Sequence, residues 1–458
     1  MNDELKIKNN ELGGKMNYRY RTDEEMKDSG VEWIGKIPKE WSIVKGKYLF
    51  KNKKLKNSGG LNNILSLTLN GVIDRDKNNF EGLQPESFDG YQEFNNDNLV
   101  FKLIDLENIN TSRVGYVHKD GLMSPAYIRL EKNKDIHVKY YYYNYFDYYN
   151  QKIYNFLGSV GVRSALNSSD LVEMDVINNK LIEQEKIARF LDEKTAQFDS
   201  IISKKETLIE KLEEAKKSLI SEVVTGKVKV VKSSDGYEVV ERKKEEMKDS
   251  GVEWLGDIPK KWNVKKIKYI SKIYRGKFNH RPRNDPEFYD GEYPFIQTGD
   301  VANSNMYITK YTQTLNKKGY SVSKEFPKGT LIMTIAANIG DIAILDFNAC
   351  FPDSIVGFTP NNNIDIKFMY YIYSIMKEEF MSTAIINTQM NLNVERIENL
   401  FIVVPNIEKQ KIIVDYIESK LGNIMNTINK VRQQIQKLKE AKQSLISEAV
   451  TGKIEILD

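Results

Sequence analysis

Side chains that could carry chemistry are few and widely separated. Three histidines, His118, His137 and His280, and one cysteine, Cys350, stand far apart in the chain. None has the spacing of a zinc site or of a nucleophile beside its base. A single cysteine excludes an internal disulfide and fits a reducing compartment. The tripeptides Thr225-Gly226-Lys227 and Thr451-Gly452-Lys453 look like the tail of a phosphate-binding loop. No glycine lies five residues before Gly226 or Gly452, however, and Val228 and Ile454 occupy the Ser/Thr position. There is no Gly-x-Gly-x-x-Gly, and Asn284-Asp285-Pro286 lacks the second proline and the aromatic residue of a base-holding tetrapeptide. The carboxylates form no spacing that separates a nuclease from ordinary surface charge. Binding, rather than catalysis, is the expectation.

Binding has a visible electrostatic footprint. The 458 residues carry 68 basic and 64 acidic side chains, a net charge of only +4. The distribution is uneven. From Trp41 to Ile73 there is no acid, while Lys45, Lys47, Lys51, Lys53, Lys54 and Lys56 fall inside. From Lys260 to Arg283 there is again no acid, and ten Lys or Arg lie within the stretch. Two separated basic runs suit one polyanion contacted twice.

The elements that position these runs are repeated. MKDSGVEWIGKIPKEWSIVKGKYL from Met26 and MKDSGVEWLGDIPKKWNVKKIKYI from Met247 agree at about two residues in three over 24 positions. KLEEAKKSLISEVVTGK from Lys211 returns as KLKEAKQSLISEAVTGK from Lys437. The two offsets are 221 and 226 residues. Each half therefore reads as an opening motif, a variable middle and a long charged segment. In the charged segments, apolar residues recur in steps of four and three: Ile187, Leu191, Phe198, Ile201, Leu208, Leu212, Ala215 and Leu219, then Ile413, Ile417, Ile424, Val431, Leu438, Ala441 and Leu445. This is a heptad seam, broken by Lys194, Lys205, Lys420 and Gln434. Gly226 and Gly452 suit helix C-terminal caps. Two helices of equal length in one chain pack most simply antiparallel, and about 40 residues of helix span roughly 60 Å. The middles contain short β-rich runs, NILSLTLNGVI, NLVFKLI and AYIRL in the first and EYPFIQTGDV, GTLIMTIAANIGDIAILD and SIVGFTP in the second. KYYYYNYFDYYNQKIYNFL reads as a helix with one aromatic face inward. Trp33, Trp41, Trp254 and Trp262 are expected to anchor each middle to the helices, and His280 to be a backbone contact or a bystander.

The expected fold is α+β, with two globular α/β domains joined by two long antiparallel helices and an internal pseudo-two-fold repeat. The divisions are residues 1–25, a poorly ordered extension; 26–180, the first domain; 181–246, a helical spacer with linker; 247–406, the second domain; and 407–458, a second helical spacer. No apolar run reaches 18 residues, and the polar, acid-containing N-terminus lacks secretory or transit character, so a cytoplasmic protein away from membranes is expected.

KDSGVEWIGKIPKEW and its copy, EQEKIARFLDEK from Glu183 with KQKIIVDYIESK, and LISEVVTGKV with LISEAVTGKI resemble the specificity subunits of bacterial or archaeal type I restriction–modification systems. So do YRGKFNHRPRNDPEFYDGEYPFIQTGDVAN, ANIGDIAIL and VGVRSALN. The likeness covers almost the whole chain from Met26. The second domain exits through VVPNIEKQ with the family's proline, Pro405, whereas the first exits through INNKLIEQ without one. The resemblance implies two target recognition domains, each reading half of a split, asymmetric site in double-stranded DNA. It implies two methyltransferase subunits, which methylate adenine N6, and restriction subunits as partners. S-adenosylmethionine, ATP and Mg2+ then belong to those partners, and no cofactor, metal or catalytic residue to this chain.

Candidate DNA contacts in the first domain are Arg163, Ser164 and Asn167 of VGVRSALN, then Arg113 and Ser124, with Lys51, Lys53 and Lys54 from the basic run. In the second they are Arg275, Lys277, Arg281 and Arg283, with Gln389 and Asn391 of NTQMNLN. Arginine can hold guanine bidentately, and Gln or Asn can pair adenine; the other role open to each cation is a phosphate contact. Two other functions compete. A self-contained DNA-modifying enzyme would turn over alone, and a coiled-coil adaptor would bind no DNA at any salt. The absent motifs oppose the first and the basic runs oppose the second.

Overall fold

The computed structural model describes residues 17–457 apart from 62, 76–87, 107–112, 159–164, 235, 337–338, 383 and 386–390. The chain divides into two compact units. The first combines Met1–Glu206 with Arg432–Asp458, and the second is Thr207–Val431. Four helices organise the two units: α1 (Val138–Asn150), α2 (Leu181–Val224), α3 (Ile366–Ile375) and α4 (Ile407–Val450). The two long ones, α2 and α4, are each 44 residues and contain both crossings between the units.

The long helices run antiparallel within each unit. In the first, Lys442 Nζ donates to Asp199 Oδ1 at 2.7 Å. In the second, Lys216 Nζ approaches Met425 Sδ at 3.8 Å. Two of the polar interruptions in the heptad seam meet each other, Lys205 Nζ donating to Gln434 Oε1 at 2.9 Å. The pair is solvent-exposed, and Val431 and Ile435 beside it are the buried positions. The seam itself departs from the expectation in α2. Leu208 is 43% exposed and Ala215 is exposed, while Ile202 and Ile220 are buried. An unsupercoiled helix at 3.6 residues per turn drifts about 20° per heptad, so a strict seven-residue count walks off the buried face.

Each long helix stops in the same way. Thr225 and Thr451 return their hydroxyls to Ser221 O and Ser447 O, both at 2.6 Å. Gly226 and Gly452 then turn left-handed, with φ of +76° and +70°. A Cβ there would lie 2.6 Å from Pro259 and Trp262 in one case and 2.5 Å from Pro38 in the other. Only glycine permits both the backbone angle and the approach.

In the first unit, four antiparallel strands lie in the order Arg113–Val117, Asn98–Lys102, Ile128–Lys132, Phe50–Asn52. Helix α1 packs Tyr140, Tyr141, Tyr145 and Tyr148 inward, with Phe50 edge-on to Tyr141 at 5.5 Å and Phe101 edge-on to Tyr145 at 5.2 Å. The tyrosine run is thus core, as its periodicity suggests. In the second unit five strands lie in the order Ser271–Arg275, Ile355–Pro360, Leu331–Thr334, Ile342–Leu345, Tyr307–Ile308. A separate four-stranded sheet runs Gln313–Leu315, Tyr289–Phe295, Ala349–Cys350, Glu325–Phe326. The middles therefore differ in topology as well as sequence.

The frame around them is the same. Met26–Asp28 pairs with Lys36–Pro38, as Met247–Asp249 pairs with Asp257–Pro259. Ser42–Lys45 pairs with Asp175–Asn178, as Asn263–Lys266 pairs with Phe401–Val404. The side chain of Gln184 accepts from His137 N at 2.9 Å, at the start of α1, and donates to Asn179 O at 2.9 Å. The side chain of Gln410 accepts from Asp365 N at 2.7 Å, at the start of α3, and donates to Pro405 O at 2.8 Å. Only a main-chain carbonyl is used at this place, so Asn179 serves where the second copy has proline. Lys139–Asp192 and Lys367–Glu418 bridge the same elements, each at 2.7 Å.

Two segments differ from the sequence expectation. Tyr18–Tyr20, assigned to an extension, forms a strand on Ile454–Ile456, with Leu457 N donating to Asn17 O at 2.7 Å. The stretch after α2, assigned to a linker, is a hairpin of Val228–Ser233 on Gly236–Glu241. The alternating VKVVK and YEVVE about a polar turn supply its strand pattern. The two pairings share one register: Tyr18 faces Ile456 and Tyr20 faces Ile454, as Val239 faces Val230 and Glu241 faces Val228.

This register predicts a tolerated rearrangement. A chain opened after Ser234, with residue 457 joined to residue 17 by a short Gly/Ser linker, keeps both ladders. It should unfold cooperatively with a midpoint within roughly 5 °C of the natural order by calorimetry; loss of the cooperative transition would show that the two pairings are not equivalent.

A second prediction concerns Asp147 on α1, buried with Gln151 Nε2 at 2.7 Å and Ser447 Oγ at 3.3 Å as donors among the described residues. Burial pushes its carboxyl up to about 6. The folded chain then binds the proton more tightly than the unfolded one, so stability is highest below the ordinary carboxylate range and falls as pH rises toward 6. Asp147→Asn should remove that slope and stabilise the protein at pH 7 by up to about 3 kcal/mol, with little effect near pH 4. Denaturant titrations at the two pH values check it, and an equal effect at both would contradict it.

Candidate nucleic-acid interface

The second basic run ends in a built cluster. Strand Ser271–Arg275 pairs with Ile355–Pro360 and the chain stays bonded to the preceding turn, Gly276 N to Ile355 O at 2.9 Å and Lys277 N to Phe351 O at 3.0 Å. The approach is so close that a Cβ on Gly276 would lie 2.2 Å from Pro352 O. This brings Asp353 onto the arginines. Arg275 Nε donates to Asp353 O at 2.7 Å, and Arg281 Nη2 reaches Asp353 Oδ2 at 3.4 Å. Arg283 Nη2 pairs with Asp353 Oδ1. Arg281 Nη1 also donates to Phe278 O and His280 O, both at 2.7 Å. Lys277 is exposed, and Ser323 Oγ donates to its carbonyl at 2.7 Å. That contact sets Lys324 beside the cluster, its Nζ 4.2 Å from the ring centre of Tyr274.

Beneath lies a small aromatic core of Phe278, Phe288, Tyr289, Phe295, Leu315 and Cys350. His280 belongs to this support. Its ring stacks on Phe288 at 3.9 Å and its Nε2 meets Asp285 Oδ2 at 3.0 Å. The exposed surface is a group of guanidinium forks and ammonium groups around one carboxylate, suited to phosphates or to the O6/N7 edge of guanine. Gln389 lies outside the described residues; Asn391 pairs through its backbone with Ile385, and its side chain lies outside them too.

In the first unit the candidates are more dispersed. Arg163 and Ser164 lie outside the described residues. Asn167 caps the short helix Ser168–Glu173, its Oδ1 accepting from Ser169 N at 2.8 Å and Asp170 N at 3.0 Å. Its side-chain oxygen is thereby engaged in the helix cap. Ser124 is a turn residue, its hydroxyl accepting from Ala126 N at 3.3 Å. Lys51 pairs with Glu131 at 3.2 Å and Lys54 Nζ donates to Pro125 O at 3.3 Å, while Lys53 is exposed. The backbone under this run is held by Arg129, 3% exposed, which donates to Lys53 O at 3.0 Å and Asn98 Oδ1 at 2.6 Å.

Arg113 is half-buried, with Nη1 donating to Leu67 O at 3.0 Å and an enclosed Nε that has no partner among the described residues. Directly opposite it in the ladder stands Lys102. Burial first, and the neighbouring guanidinium second, hold the Lys102 ammonium below the usual lysine range. Like charges facing across a ladder destabilise a sheet unless an anion offsets them. Lys102, Lys324 and Asp353 were not legible as site residues. Lys102 is placed by pairing with the neighbouring strand, Lys324 and Asp353 by turns that reach Tyr274 and Arg275 from far along the chain, and no local pattern marks any of them.

Among the described residues no cluster of His, Cys, Asp or Glu could hold a metal ion, and no helix is long and apolar enough to cross a membrane.

The chain is similar to known proteins in sequence and in fold. Residues 259–440 match the family model described as type I restriction modification DNA specificity domain. Two relatives come from Methanocaldococcus jannaschii. The putative type I restriction enzyme MjaX specificity subunit is 26% identical over 334 residues, covering 71% of either chain. The type I restriction enzyme MjaVIII specificity subunit is 26% identical over 385 residues, covering 79% of this chain and 80% of the other. In fold, the chain is similar to one in a solved structure concerned with complex assembly and conformational transition of the type I R-M system. The TM-score is 0.61 at 12% identity, covering 91% of this chain and 99% of that one.

The approach at Gly276 is directly testable. Gly276→Ala must push the Phe351–Asp353 turn away, at a cost of about 1–3 kcal/mol. It should also narrow the difference in affinity between a cognate and a random-sequence duplex, because Asp353 no longer meets the arginines. A thermal shift and a DNA titration on one variant check both; an unshifted midpoint would contradict the close packing.

Proposed function

We propose that this chain is a member of the family of type I restriction–modification DNA specificity subunits, and that its two units each read one half of a split, asymmetric DNA site. The chain is the non-catalytic, specificity-bearing subunit of such a complex. The observation that carries the reading is one frame closed twice, with matching registers, matching Gln184 and Gln410 brackets and matching bridges, around two middles of different topology. A repeated frame offers one docking surface twice, so two copies of a methyltransferase subunit can engage a single asymmetric chain. Unlike middles give unlike half-sites.

In this reading the Arg275–Arg283 cluster and the Lys102–Arg113 pair face DNA, with Lys53 and Lys54 as phosphate contacts that confer salt dependence but no sequence. Arg163, Ser164, Gln389 and Asn391 remain candidate base contacts. The partners methylate adenine N6 after taking the base out of the stack, while this chain holds the flanking duplex. S-adenosylmethionine, ATP and Mg2+ act in the methyltransferase and restriction subunits.

The long helices set the distance between half-sites. Deleting one heptad from each, Leu208–Glu214 and Thr427–Gln433, leaves the Asp199–Lys442 and Lys216–Met425 pairings in register. The spacer should shorten by about 10 Å, or roughly three base pairs, with both half-sites kept. Methylation-sensitive sequencing of a host expressing the variant with its methyltransferase reads the motif directly. An active complex with the old spacer would refute the ruler, and methylation without any bipartite motif would refute the function.

A further inference from the structure

The acid in the middle of the cationic cluster calls for an explanation. Asp353 is 37% exposed and is the carboxylate that Arg281 and Arg283, at 52% and 46%, both meet. A negative charge on a face that meets phosphates reduces the attraction of that face for every DNA sequence alike. Its benefit must lie in what it does to the arginines. Each oxygen of the carboxylate takes one guanidinium, and the residue's own carbonyl takes Arg275 Nε at 2.7 Å. Arg281 is further fixed by two carbonyls at 2.7 Å. Three long side chains that would otherwise sample many rotamers are held in one arrangement.

We propose that Asp353 is a positioning residue for base reading by the second unit. It aligns Arg281 and Arg283 as fixed hydrogen-bond forks, so that their free N–H groups meet a guanine edge without first being ordered. Bidentate reading depends on fork geometry, whereas phosphate attraction depends on charge alone. Removing the acid therefore moves the two in opposite directions. The assignment rests on the split-site reading above and adds the group that sets discrimination at one half-site.

The test uses the full chain co-purified with its methyltransferase subunits. The cognate duplex is taken from the methylated motif of the wild-type host. Binding is measured by anisotropy on this duplex, on duplexes with one base pair changed in either half-site, and on a random-sequence duplex, at several salt concentrations. Asp353→Asn should lose about tenfold or more of the discrimination at one half-site and none at the other. Its affinity for the random duplex should stay level or rise. Arg283→Lys, which keeps charge and removes the fork, should lose discrimination at the same half-site with the salt slope intact.

Full discrimination in Asp353→Asn would overturn the assignment. So would a rise in affinity for all duplexes with discrimination kept, the behaviour of a latch that phosphate displaces. Equal weakening on every duplex would also overturn it, since that is the effect of a damaged fold. Discrimination retained by Arg283→Lys would overturn it independently of how Asp353→Asn folds. A wild-type complex that shows no sequence discrimination at all would overturn the split-site reading, and this assignment with it.

Discussion

Each long helix ends on a left-handed glycine pressed against a proline and a tryptophan, and the rest of the architecture depends on that contact. Gly452 meets Pro38 and Trp41, and Gly226 meets Pro259 and Trp262. An arginine completes each contact: Arg21 lies over Trp41 and donates to Gly452 O at 2.8 Å, and Arg242 lies over Trp262 and donates to Gly226 O at 2.7 Å. The helix that leaves the first middle therefore closes the second, and the helix that leaves the second closes the first. Such an exchange requires the two helices to run in opposite directions and the two opening motifs to be alike. The repeated sequence is the imprint of that requirement.

Around so fixed a frame, the middles are free to differ. What each must supply is a strand for the frame's sheet, a helix whose first N–H fits the glutamine bracket, and a lysine for the bridge. Lys139 and Lys367 meet that last condition although they sit in unrelated sequences. Everything between these points can be given over to recognition. One middle sets Lys102 and Arg113 opposite each other in a ladder, and the other gathers arginines around one acid.

Much of the frame was legible in the sequence because its constraints are local. Glycine at a helix end, the period of apolar residues and a repeated Trp-rich motif each carry their physical cause within a few positions. The aromatic helix was legible for the same reason, since its spacing distinguishes an inward from an outward face. The seam beyond Leu208 was not, because drift accumulates over turns and a fixed heptad count ignores it. The site was legible only as charge. Arg275, Arg281 and Arg283 stand close in sequence, but the residue that organises them comes 70 positions after Arg283, through a turn that Gly276 admits. Asn167 also serves the fold locally, its side-chain oxygen capping the helix that follows.

The division of the chain also sets an order of assembly. Thr207–Val431 is continuous, so the second unit has all of its sequence available as one stretch. The first unit is interrupted, and Arg432–Asp458 reaches it only after the whole of the second has been made. On a ribosome, the first middle must wait with Trp41, the face of α1 toward Ser447 and the edge of Tyr18–Tyr20 uncovered for the time needed to add more than two hundred residues, on the order of ten to forty seconds at about 5–20 residues per second. Contacts between residues this far apart in sequence also form slowly. Vectorial synthesis thus makes the unit that emerges first the last to close, and leaves its open frame as the form that chaperones and proteases meet.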